Sequence, residues 1–156
     1  MRILVAIDGS EHSETVVDEV AHRHFPADSE VRLVSAVEAP YSEVTYPGGG
    51  VDPQLYAVLD RDSHERARAA VEKAAAKLRG NDGGNPLIVT TEVLSGSPKA
   101  AILEEAEAFQ ADLIVVGSHG HGMLERFLLG SVSQAVALHA KCSVEIVRSR
   151  KRGPAK

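Results

Sequence analysis

Short apolar runs alternate along the chain with segments of helical spacing. Runs rich in Val, Ile and Leu, without alternating polar positions, predict five strands at residues 2–7, 31–37, 86–93, 112–116 and 143–147. Helical spacing between them predicts helices from Ser10 onward, at about 53–78, from Ser97-Pro98 onward and near 131–139. Because unbroken apolar strands alternate with helices, the order βαβαβαβαβ indicates an α/β fold, a parallel sheet covered on both faces.

The second predicted helix carries start and stop signals. Asp52 is predicted as its N-cap and Pro53 as its first residue, and Gly80 and Asn81 follow its end. Its predicted buried stripe consists of Leu55, Leu59, Ala67, Ala70, Val71, Ala74 and Leu78. The third helix is predicted to begin at Ser97-Pro98 and to bury Ile102, Leu103, Ala106 and Phe109.

The length of 156 residues predicts a single domain. We expect residues 1–148 to form this domain and the basic residues 149–156 to form a disordered tail. Cys142 is the single cysteine of the sequence, which excludes an internal disulfide and a cysteine zinc cluster. The domain therefore has to be stabilised by its apolar core.

Charge and hydropathy narrow the choice of partners and compartment. Seventeen basic and 22 acidic residues give a formal net charge of −5, which disfavours non-specific binding to nucleic acid or an anionic membrane. No apolar run approaches the roughly 18 residues of a membrane span. We therefore expect a cytoplasmic protein without a nucleic acid or membrane partner.

Two connections are longer than the usual few residues between elements. Residues 38–52 contain Pro40, Pro47 and three consecutive glycines, and they leave the carboxyl side of the predicted sheet. Two interpretations of this segment stay open, a lid over a ligand and a surface insertion without ligand contact. The second long connection, residues 117–130, follows the fourth strand and carries most of the candidate chemistry.

Candidate ligand contacts follow from the predicted fold. In an open doubly wound sheet, ligands bind outside the carboxyl ends of the strands, where the strand order reverses. Three segments lie at such ends: Asp8-Gly9-Ser10 after the first strand, the residues around Ala36 in the second, and Gly117 to Gly120 after the fourth. We expect these segments to form one site.

The segment from Gly117 to Ser133 predicts a seat for an anion. Gly117, Gly120 and Gly130 allow close approach of the backbone and positive φ, and Ser131 is predicted to open a helix with free N–H groups. Ser131 and Ser133 add hydroxyl donors. A polyphosphate would thus be held by uncharged donors and a helix terminus, with a metal ion sharing its charge.

These residues carry a resemblance to a known family. Gly117-x-x-Gly120, nine further residues and then Gly130-Ser131 resembles the glycine pattern of the ATP-binding branch of the universal stress protein family. Asp8-Gly9-Ser10 with Ser13, Gly96-Ser97-Pro98 and residues 112–117 also match. The resemblance covers about residues 1–147.

The resemblance implies roles for the matching positions. Asp8, with Gly9 and Ser10, would lie beside the nucleotide, and backbone near Ala36 would meet the adenine. The glycine loop at Gly117 and Gly120 would follow the ribose and phosphates. The phosphates, with Mg²⁺, would be held by the segment Gly130, Ser131, Val132 and Ser133.

Two of these positions keep alternative interpretations. For Asp8, a helix-capping role stays open beside nucleotide or magnesium contact. His119, in the glycine loop, is a candidate for ligand contact, for metal ligation or for an exposed loop position. No further metal-ligand pattern is visible around it in the sequence.

The resemblance also implies an architecture and an assembly. It implies a doubly wound, Rossmann-like sheet of the adenine nucleotide alpha hydrolase type, with strand order 3-2-1-4-5. It further implies a homodimer through the last strand, which would otherwise present an unpaired edge. Val144 and Ile146 are predicted on one face of that strand and Glu145 on the other. Similar proteins usually have a proline followed by an apolar run in this segment, so Glu145 departs from their pattern.

Other nucleotide-binding patterns are missing from the sequence. There is no Gly-x-x-x-x-Gly-Lys-Ser/Thr, which excludes a P-loop, and no Gly-x-Gly-x-x-Gly follows the first strand. A receiver domain would need an aspartate at the end of the third strand, where this chain has Val93-Leu94-Ser95.

The leading hypothesis is a homodimeric universal stress protein that binds ATP, or ADP or AMP, as a signal or a structural ligand. The alternatives are a slow ATP hydrolase or phosphoryl- or nucleotidyl-transferring enzyme using the same pocket, and an interaction module with a vestigial pocket. Arg126 is the single Lys or Arg between Gly117 and Ser133. Because fast phosphoryl transfer needs positioned cations, we expect ATP turnover to be slow or absent.

Overall fold

The computed structural model describes residues 1–40, 52–80, 87–118 and 129–148. Predictions that concern residues 41–51, 81–86, 119–128 and 149–156, including those for His119, Gly120 and the basic tail, lie outside the described residues. The elements are β1 (Arg2–Ala6), α1 (Glu11–His22), β2 (Glu30–Val37), α2 (Pro53–Arg79), β3 (Ile88–Ser95), α3 (Pro98–Ala108), β4 (Leu113–Gly117), α4 (Ser131–His139) and β5 (Ser143–Val147).

The strands form one parallel sheet in the order β3-β2-β1-β4-β5, which confirms the predicted topology for the described part of the chain. β1 lies at the centre, where Ile3 is opposite Val31 of β2 on one side and Leu113 of β4 on the other. The chain leaves β1 toward β2 and later returns to β4 on the other side of β1. The strand order therefore reverses between β1 and β4, as in doubly wound folds.

Helices cover both faces of the sheet. Helices α1 and α2 pack on one face in a cluster that includes Ile3, Val5, Val16, Leu33 and Val71. Helices α3 and α4 pack on the other face in a second cluster that includes Leu4, Val34, Ile102, Ile114 and Val136. Because neighbouring residues of a strand point to opposite faces, the consecutive apolar residues of β1 supply both clusters.

The start of α2 agrees with its sequence signals. Asp52 is the N-cap, and its carboxylate accepts hydrogen bonds from the backbone N–H groups of Gln54 at 2.9 Å and Leu55 at 3.1 Å. Pro53 is the first helical residue, a position that requires no N–H donor. At the other end, Gly80 donates its N–H to the carbonyl of Ala76.

The predicted buried stripe of α2 is wrong in its first turns. Leu55 is 42% exposed, and the buried residues begin at Ala67 and include Val71 and Leu78. A helix of 27 residues is about 40 Å long, whereas a strand of eight residues spans about 26 Å. The first turns of α2 therefore extend beyond the sheet, where no strand covers their apolar side chains.

Candidate functional site

The ends of three strands meet at the carboxyl edge of the sheet. Ala6, the last residue of β1, is opposite Val34 of β2 and Val116 of β4, and the N–H of Ile7 continues the ladder to Val34 at 2.9 Å. The residues after Ile7 therefore lie between the ends of β2 and β4. This is the crevice in which a doubly wound sheet binds its ligands.

The turn after β1 is held together by the carboxylate of Asp8. Its Oδ1 accepts three hydrogen bonds, from the N–H of Ser10 at 3.0 Å, the hydroxyl of Ser10 at 2.6 Å and the hydroxyl of Ser13 at 2.5 Å. The hydroxyl of Ser13 in turn accepts the N–H of Asp8 at 2.9 Å. Asp8 therefore joins the end of β1 to the first turn of α1.

Ser10 caps α1, and Gly9 supplies the backbone geometry that the turn requires. The hydroxyl of Ser10 accepts the N–H of Ser13 at 3.4 Å. Gly9 has φ +77°, a region that side chains disfavour, and a Cβ added there would lie 3.4 Å from the Cβ of Ala70. The helix-capping group is thus Ser10, and Asp8 orients it through hydrogen bonds.

Ala36 lies where β2 extends past β1. It is opposite Leu94 of β3, whereas the last residue of β2 that is opposite β1 is Val34. On the β1 side, the backbone at Ala36 is therefore beyond the paired part of the sheet. This position beside the crevice agrees with the predicted use of backbone near Ala36, whose contact with a base stays a prediction.

The connection between β4 and α4 is closed at its base by backbone hydrogen bonds. Ser118 donates its N–H to the carbonyl of Val147 at 2.8 Å, and Gly130 donates its N–H to the carbonyl of Ser118 at 2.8 Å. Residues 118 and 130 are thus neighbours although they are twelve positions apart along the chain. Ser118 is 3% exposed, and its position directly after β4 was the one signal in the sequence for this role.

Ser133 ties the first turn of α4 to the end of β4. Its side chain is 4% exposed, and its hydroxyl donates to the carbonyl oxygen of Gly117. A hydroxyl has one proton to donate, so in this arrangement Ser133 has none left for a phosphate. Contact of the Ser133 hydroxyl with phosphate stays a prediction, and it would require the hydroxyl to rotate, whereas the backbone N–H of Ser133 is not engaged by this bond.

The start of α4 agrees with the prediction, whereas the backbone of the glycines beside it does not. Gly130 is the N-cap, with φ −59° and ψ 148° and no side-chain cap, and Ser131 is the first helical residue. The positive φ expected at Gly117 and Gly130 does not occur, because among the described glycines it is found at Gly9 and Gly96. A strand residue and an extended cap residue need no left-handed backbone.

The start of α4 can bind an anion. The N–H groups of Ser131, Val132 and Ser133 have no acceptor within the helix, and the glycine cap supplies no side-chain oxygen to them. These groups lie at the positive end of the helix dipole, and the side chain of Ser131 is exposed beside them. Backbone donors of this kind hold phosphates in many proteins.

The described residues do not form a preassembled metal centre. No group of three or more His, Cys, Asp or Glu within them is arranged to hold a metal ion. The Oδ1 atom of Asp8 is already engaged by three donors. Within the described residues, a magnesium site would therefore need ligands beyond this carboxylate oxygen.

Cys142 lies away from the candidate site. It precedes β5 at the amino edge of the sheet and lines a cavity of about 270 Å³ between α3 and α4. Burial raises the pKa of its thiol, so the thiolate form is disfavoured. This agrees with the interpretation of Cys142 as a packing residue.

The two faces of β5 agree with the prediction. Val144 and Ile146 pack against the α3 and α4 cluster, whereas Glu145 forms a two-pronged ion pair with Arg23 from the end of α1. The Nη2–Oε1 distance of this pair is 2.7 Å. Glu145 is thus neutralised within its own chain and does not project along the free edge of β5.

The helices of the described residues can also be compared with the length and hydropathy of a membrane span. Within the described residues, no helix is both long enough and apolar enough to cross a membrane. The 27-residue helix α2, the longest of those described, carries many charged residues between Asp60 and Arg79.

Comparison with curated proteins finds relatives over nearly the whole chain. A putative universal stress protein of Staphylococcus epidermidis is 32% identical over 151 residues, which cover 94% of this chain and 83% of that protein. A universal stress protein of Methanocaldococcus jannaschii is 31% identical over 152 residues, which cover 97% of this chain and 84% of that protein.

Solved structures share the fold. Universal stress protein UspA from Lactobacillus plantarum superposes with a TM-score of 0.75 at 24% identity, covering 95% of this chain and 97% of that one. A universal stress protein in complex with cAMP has a TM-score of 0.68 at 25% identity, covering 96% and 98%. An Arabidopsis thaliana family protein with AMP bound has a TM-score of 0.58 at 18% identity, covering 97% and 93%.

A family model agrees with these likenesses. The model of the universal stress protein family matches residues 1–148. The matched range contains the whole sheet, the turn after β1 and the start of α4 described above. The chain belongs to the universal stress protein family.

Proposed function

We propose that the protein binds ATP, accompanied by Mg²⁺, at the carboxyl ends of β1, β2 and β4, and that the bound nucleotide acts as a signal in the cytoplasm. The observation that carries this proposal is the start of α4. It offers backbone N–H groups without a side-chain cap at the edge of the sheet where doubly wound folds bind ligands.

Adenine nucleotides are supported as the ligand class by a relative. The solved universal stress protein in complex with cAMP has the same fold over 96% of this chain. In our proposal, the adenine lies against the backbone near Ala36, and the ribose passes Gly117 and Gly120. The phosphates meet the N–H groups at the start of α4 and the hydroxyl of Ser131.

The turn after β1 completes the proposed site. Asp8, Gly9 and Ser10 would form the wall opposite α4, and the hydrogen bonds to Asp8 Oδ1 give that wall a fixed shape. When bound, Mg²⁺ would offset the phosphate charge that the neutral donors leave uncompensated. His119 remains a proposed contact in the glycine loop.

Nucleotide binding can be tested in two steps. Mass spectrometry of small molecules released from protein purified under mild conditions is expected to detect an adenine nucleotide. Calorimetry with the stripped protein is expected to detect ATP binding, weakened about tenfold or more in Ser131→Ala, because a hydrogen bond to a charged group is worth about 1.5–3 kcal/mol. Ser63→Ala on α2, outside the three segments, is the matched control.

Two results would contradict the proposal. One is the failure of both experiments to find any adenine nucleotide on correctly folded protein. The other is an unchanged ATP affinity in Ser131→Ala, which would remove the phosphates from the start of α4. Chelation of Mg²⁺ should weaken ATP binding and leave adenosine binding unchanged, because adenosine has no phosphate.

The alternative function is an enzyme that hydrolyses ATP or transfers a phosphoryl or nucleotidyl group in the same pocket. The donors at the start of α4 are neutral, and such donors stabilise bound ATP and its transition state about equally, which does not raise the chemical rate. We therefore expect phosphate release well below about 1 s⁻¹. Faster release that is abolished by His119→Ala or Glu125→Gln would favour the enzyme.

We further propose a homodimer that pairs through β5. The strand is at one end of the sheet, and edge strands invite pairing. Because Glu145 is paired with Arg23, its charge does not oppose a second strand at that edge. Light scattering is expected to give twice the monomer mass of 16.6 kDa at micromolar concentration, and a monomer mass would contradict this proposal.

A further inference from the structure

A serine, a histidine and an aspartate that have no role in the proposed nucleotide site meet at the carboxyl end of β3. The Nε2 atom of His64 on α2 lies 3.2 Å from the hydroxyl of Ser95, the last residue of β3. The Nδ1 atom of His64 lies 2.9 Å from the backbone carbonyl of Asp60 and 3.6 Å from its carboxylate. β2 separates β3 from β1, which puts Ser95 about 10 Å from the line of β1.

The partners of His64 determine its tautomer. A carbonyl oxygen can accept but not donate, so Nδ1 must carry the hydrogen in the bond to Asp60. The Nε2 atom of the neutral ring then has a lone pair, and the hydroxyl of Ser95 donates to it. This is the arrangement in which an imidazole removes a proton from a serine hydroxyl. The carboxylate of Asp60 stabilises the imidazolium that results.

The turn after Ser95 leaves room for a ligand. Gly96 has φ +119°, which bends the chain sharply between β3 and α3, and an added Cβ there would meet no atom within 4 Å. The N–H of Gly96 is bonded to the carbonyl of Val37 at 2.9 Å, which holds the turn against β2. Within the described residues, Ser95 is therefore exposed at a fixed turn with open space beside it.

The same turn leads into the positive end of a helix. Helix α3 begins at Pro98, and its N-cap Ser97 makes no side-chain cap hydrogen bond. The first-turn N–H groups, with Lys99 among them, lie a few residues from Ser95 along the chain. A negative charge that develops beside Ser95 is stabilised by such a helix terminus.

We propose that Ser95, with His64 as general base and Asp60 as the positioning residue of that base, is a reactive centre for small activated acyl donors, esters or thioesters. The nucleophile, the base in the required tautomer, the carboxylate and an open helix terminus all occur at one strand end. The centre shares no residue with the proposed nucleotide site, although Ser95 is opposite Val37, the residue after Ala36, and its chemistry does not require the nucleotide.

The chemistry balances without a further reagent. The oxygen of Ser95 attacks the acyl carbonyl carbon and forms the O–C bond, while its proton passes to Nε2 of His64. The tetrahedral intermediate expels the alcohol or thiol, which takes that proton from Nε2 as it leaves. Water then attacks the acyl-serine with His64 again as base, which releases the carboxylic acid and regenerates Ser95.

The proposal is tested with p-nitrophenyl acetate and the full-length protein. Release of p-nitrophenol is followed by absorbance, and peptide mapping locates the acetyl group. We expect the acetyl group on Ser95. In Ser95→Ala, we expect p-nitrophenol release to lose the rapid phase that acylation of Ser95 produces. His64→Gln should slow acylation about 100-fold, within the range of general-base catalysis. Asp60→Asn should slow it about two- to fivefold at unchanged Tm, since half-exposed ion pairs are weak.

Two substitutions that leave the proposed centre intact serve as matched controls. Ser63→Ala removes a serine next to His64 that does not contact its ring within the described structure, and it should leave acylation unchanged. His22→Gln removes a histidine that makes the same bond to a carbonyl four residues earlier, to Asp18 at 2.7 Å, and it should also have no effect. Ser95→Cys retains a nucleophile and should be acylated at the same position.

Three outcomes would overturn the proposal. They are acetyl groups spread over other serines, acylation of Ser95 that His64→Gln does not slow, and an equal effect of His22→Gln. Each variant is checked for native Tm, so that a loss of folding is not read as a loss of reactivity. Acylation should proceed equally with and without ATP and in Ser131→Ala, which separates this centre from the proposed nucleotide function.

Discussion

Helices α1 and α4 start at the same edge of the sheet and share a buried serine as their third residue, yet their first turns differ. Ser13 joins α1 to Asp8 after β1, and Ser133 joins α4 to Gly117 of β4. Helix α1 is capped by the side chain of Ser10, whereas the cap of α4 is Gly130, which has no side chain.

This difference indicates that the turn after β1 gives the site its shape, whereas the start of α4 is available to bind a ligand. The polar groups after β1 are engaged with one another, so that turn has a definite form without any ligand. The first N–H groups of α4 receive no side-chain oxygen from their cap, and an anion can take that place. The shared serines attach both helices to the sheet and are expected to contribute to stability.

The largest expected effect comes from giving α4 a charged cap. In Gly130→Asp, a carboxylate would bind the N–H groups at the start of α4, because the backbone there suits any residue and Asp is a favoured N-cap. We expect ATP affinity to fall on the order of 100-fold by occupation of the donors and charge repulsion. Thermal unfolding should occur at a higher temperature without ATP. An unchanged ATP affinity would contradict the proposal that the uncapped N–H groups of α4 bind the phosphates.

Substitution of Ser131 should affect mainly ATP affinity, and substitution of Ser10 should affect mainly stability. Ser131→Ala should weaken ATP binding about tenfold or more and change the free energy of unfolding by less than about 0.5 kcal/mol. Ser10→Ala should lower that free energy by about 1 kcal/mol through loss of the cap, with a smaller loss of ATP affinity than in Ser131→Ala, because Ser10 is proposed as part of the wall and not as a phosphate donor. Calorimetry and urea unfolding measure both quantities. The reverse pattern would exchange the roles of the two turns.

The shared serines should behave alike. Ser13→Ala deprives Asp8 of a donor and an acceptor, and Ser133→Ala leaves the carbonyl of Gly117 without its donor. We expect each substitution to lower the free energy of unfolding by about 1–2 kcal/mol, because both hydroxyls are buried. Urea unfolding is the measurement. A stability loss in one variant and none in the other would break the proposed equivalence.

The smallest expected effect concerns the two glycines before these helices. Gly9→Ala should cost about 1 kcal/mol of stability, because alanine disfavours a φ of +77°. Gly130→Ala should cost less, because a φ of −59° suits alanine. Thermal unfolding of both variants decides between them. Equal losses would mean that Gly130 has a steric role.

The sheet was predictable because its strands are continuous apolar runs separated by helical patterns. The N-cap of α2 was predictable for a local reason, since Asp52 and Pro53 act within one turn. The exposure of Leu55 was not, because the length by which a helix overhangs its sheet depends on the assembled fold. Local chemistry thus predicts where elements begin, and tertiary packing decides which residues they bury.

The candidate site divides in the same way. Its predicted location follows from the glycine and serine spacing, which is visible in the sequence, and from the strand order, which the family resemblance implied. The bond between Ser133 and Gly117 joins residues sixteen apart, and that between His64 and Ser95 joins residues 31 apart. Neither pairing has a sequence signal, because each depends on how a helix packs against a strand end.

Phosphates bound at the open start of α4 would contact its first amides, and NMR measures this contact residue by residue. In a titration with ATP and Mg²⁺, we expect large shifts of the amide signals of Ser131, Val132 and Ser133, and much smaller shifts of the same signals with adenosine. The amide signal of Ser10, already part of the turn after β1, should move less than these. ATP binding that leaves the three α4 amides unmoved, or adenosine shifts of equal size, would show that the phosphates do not bind at the start of α4.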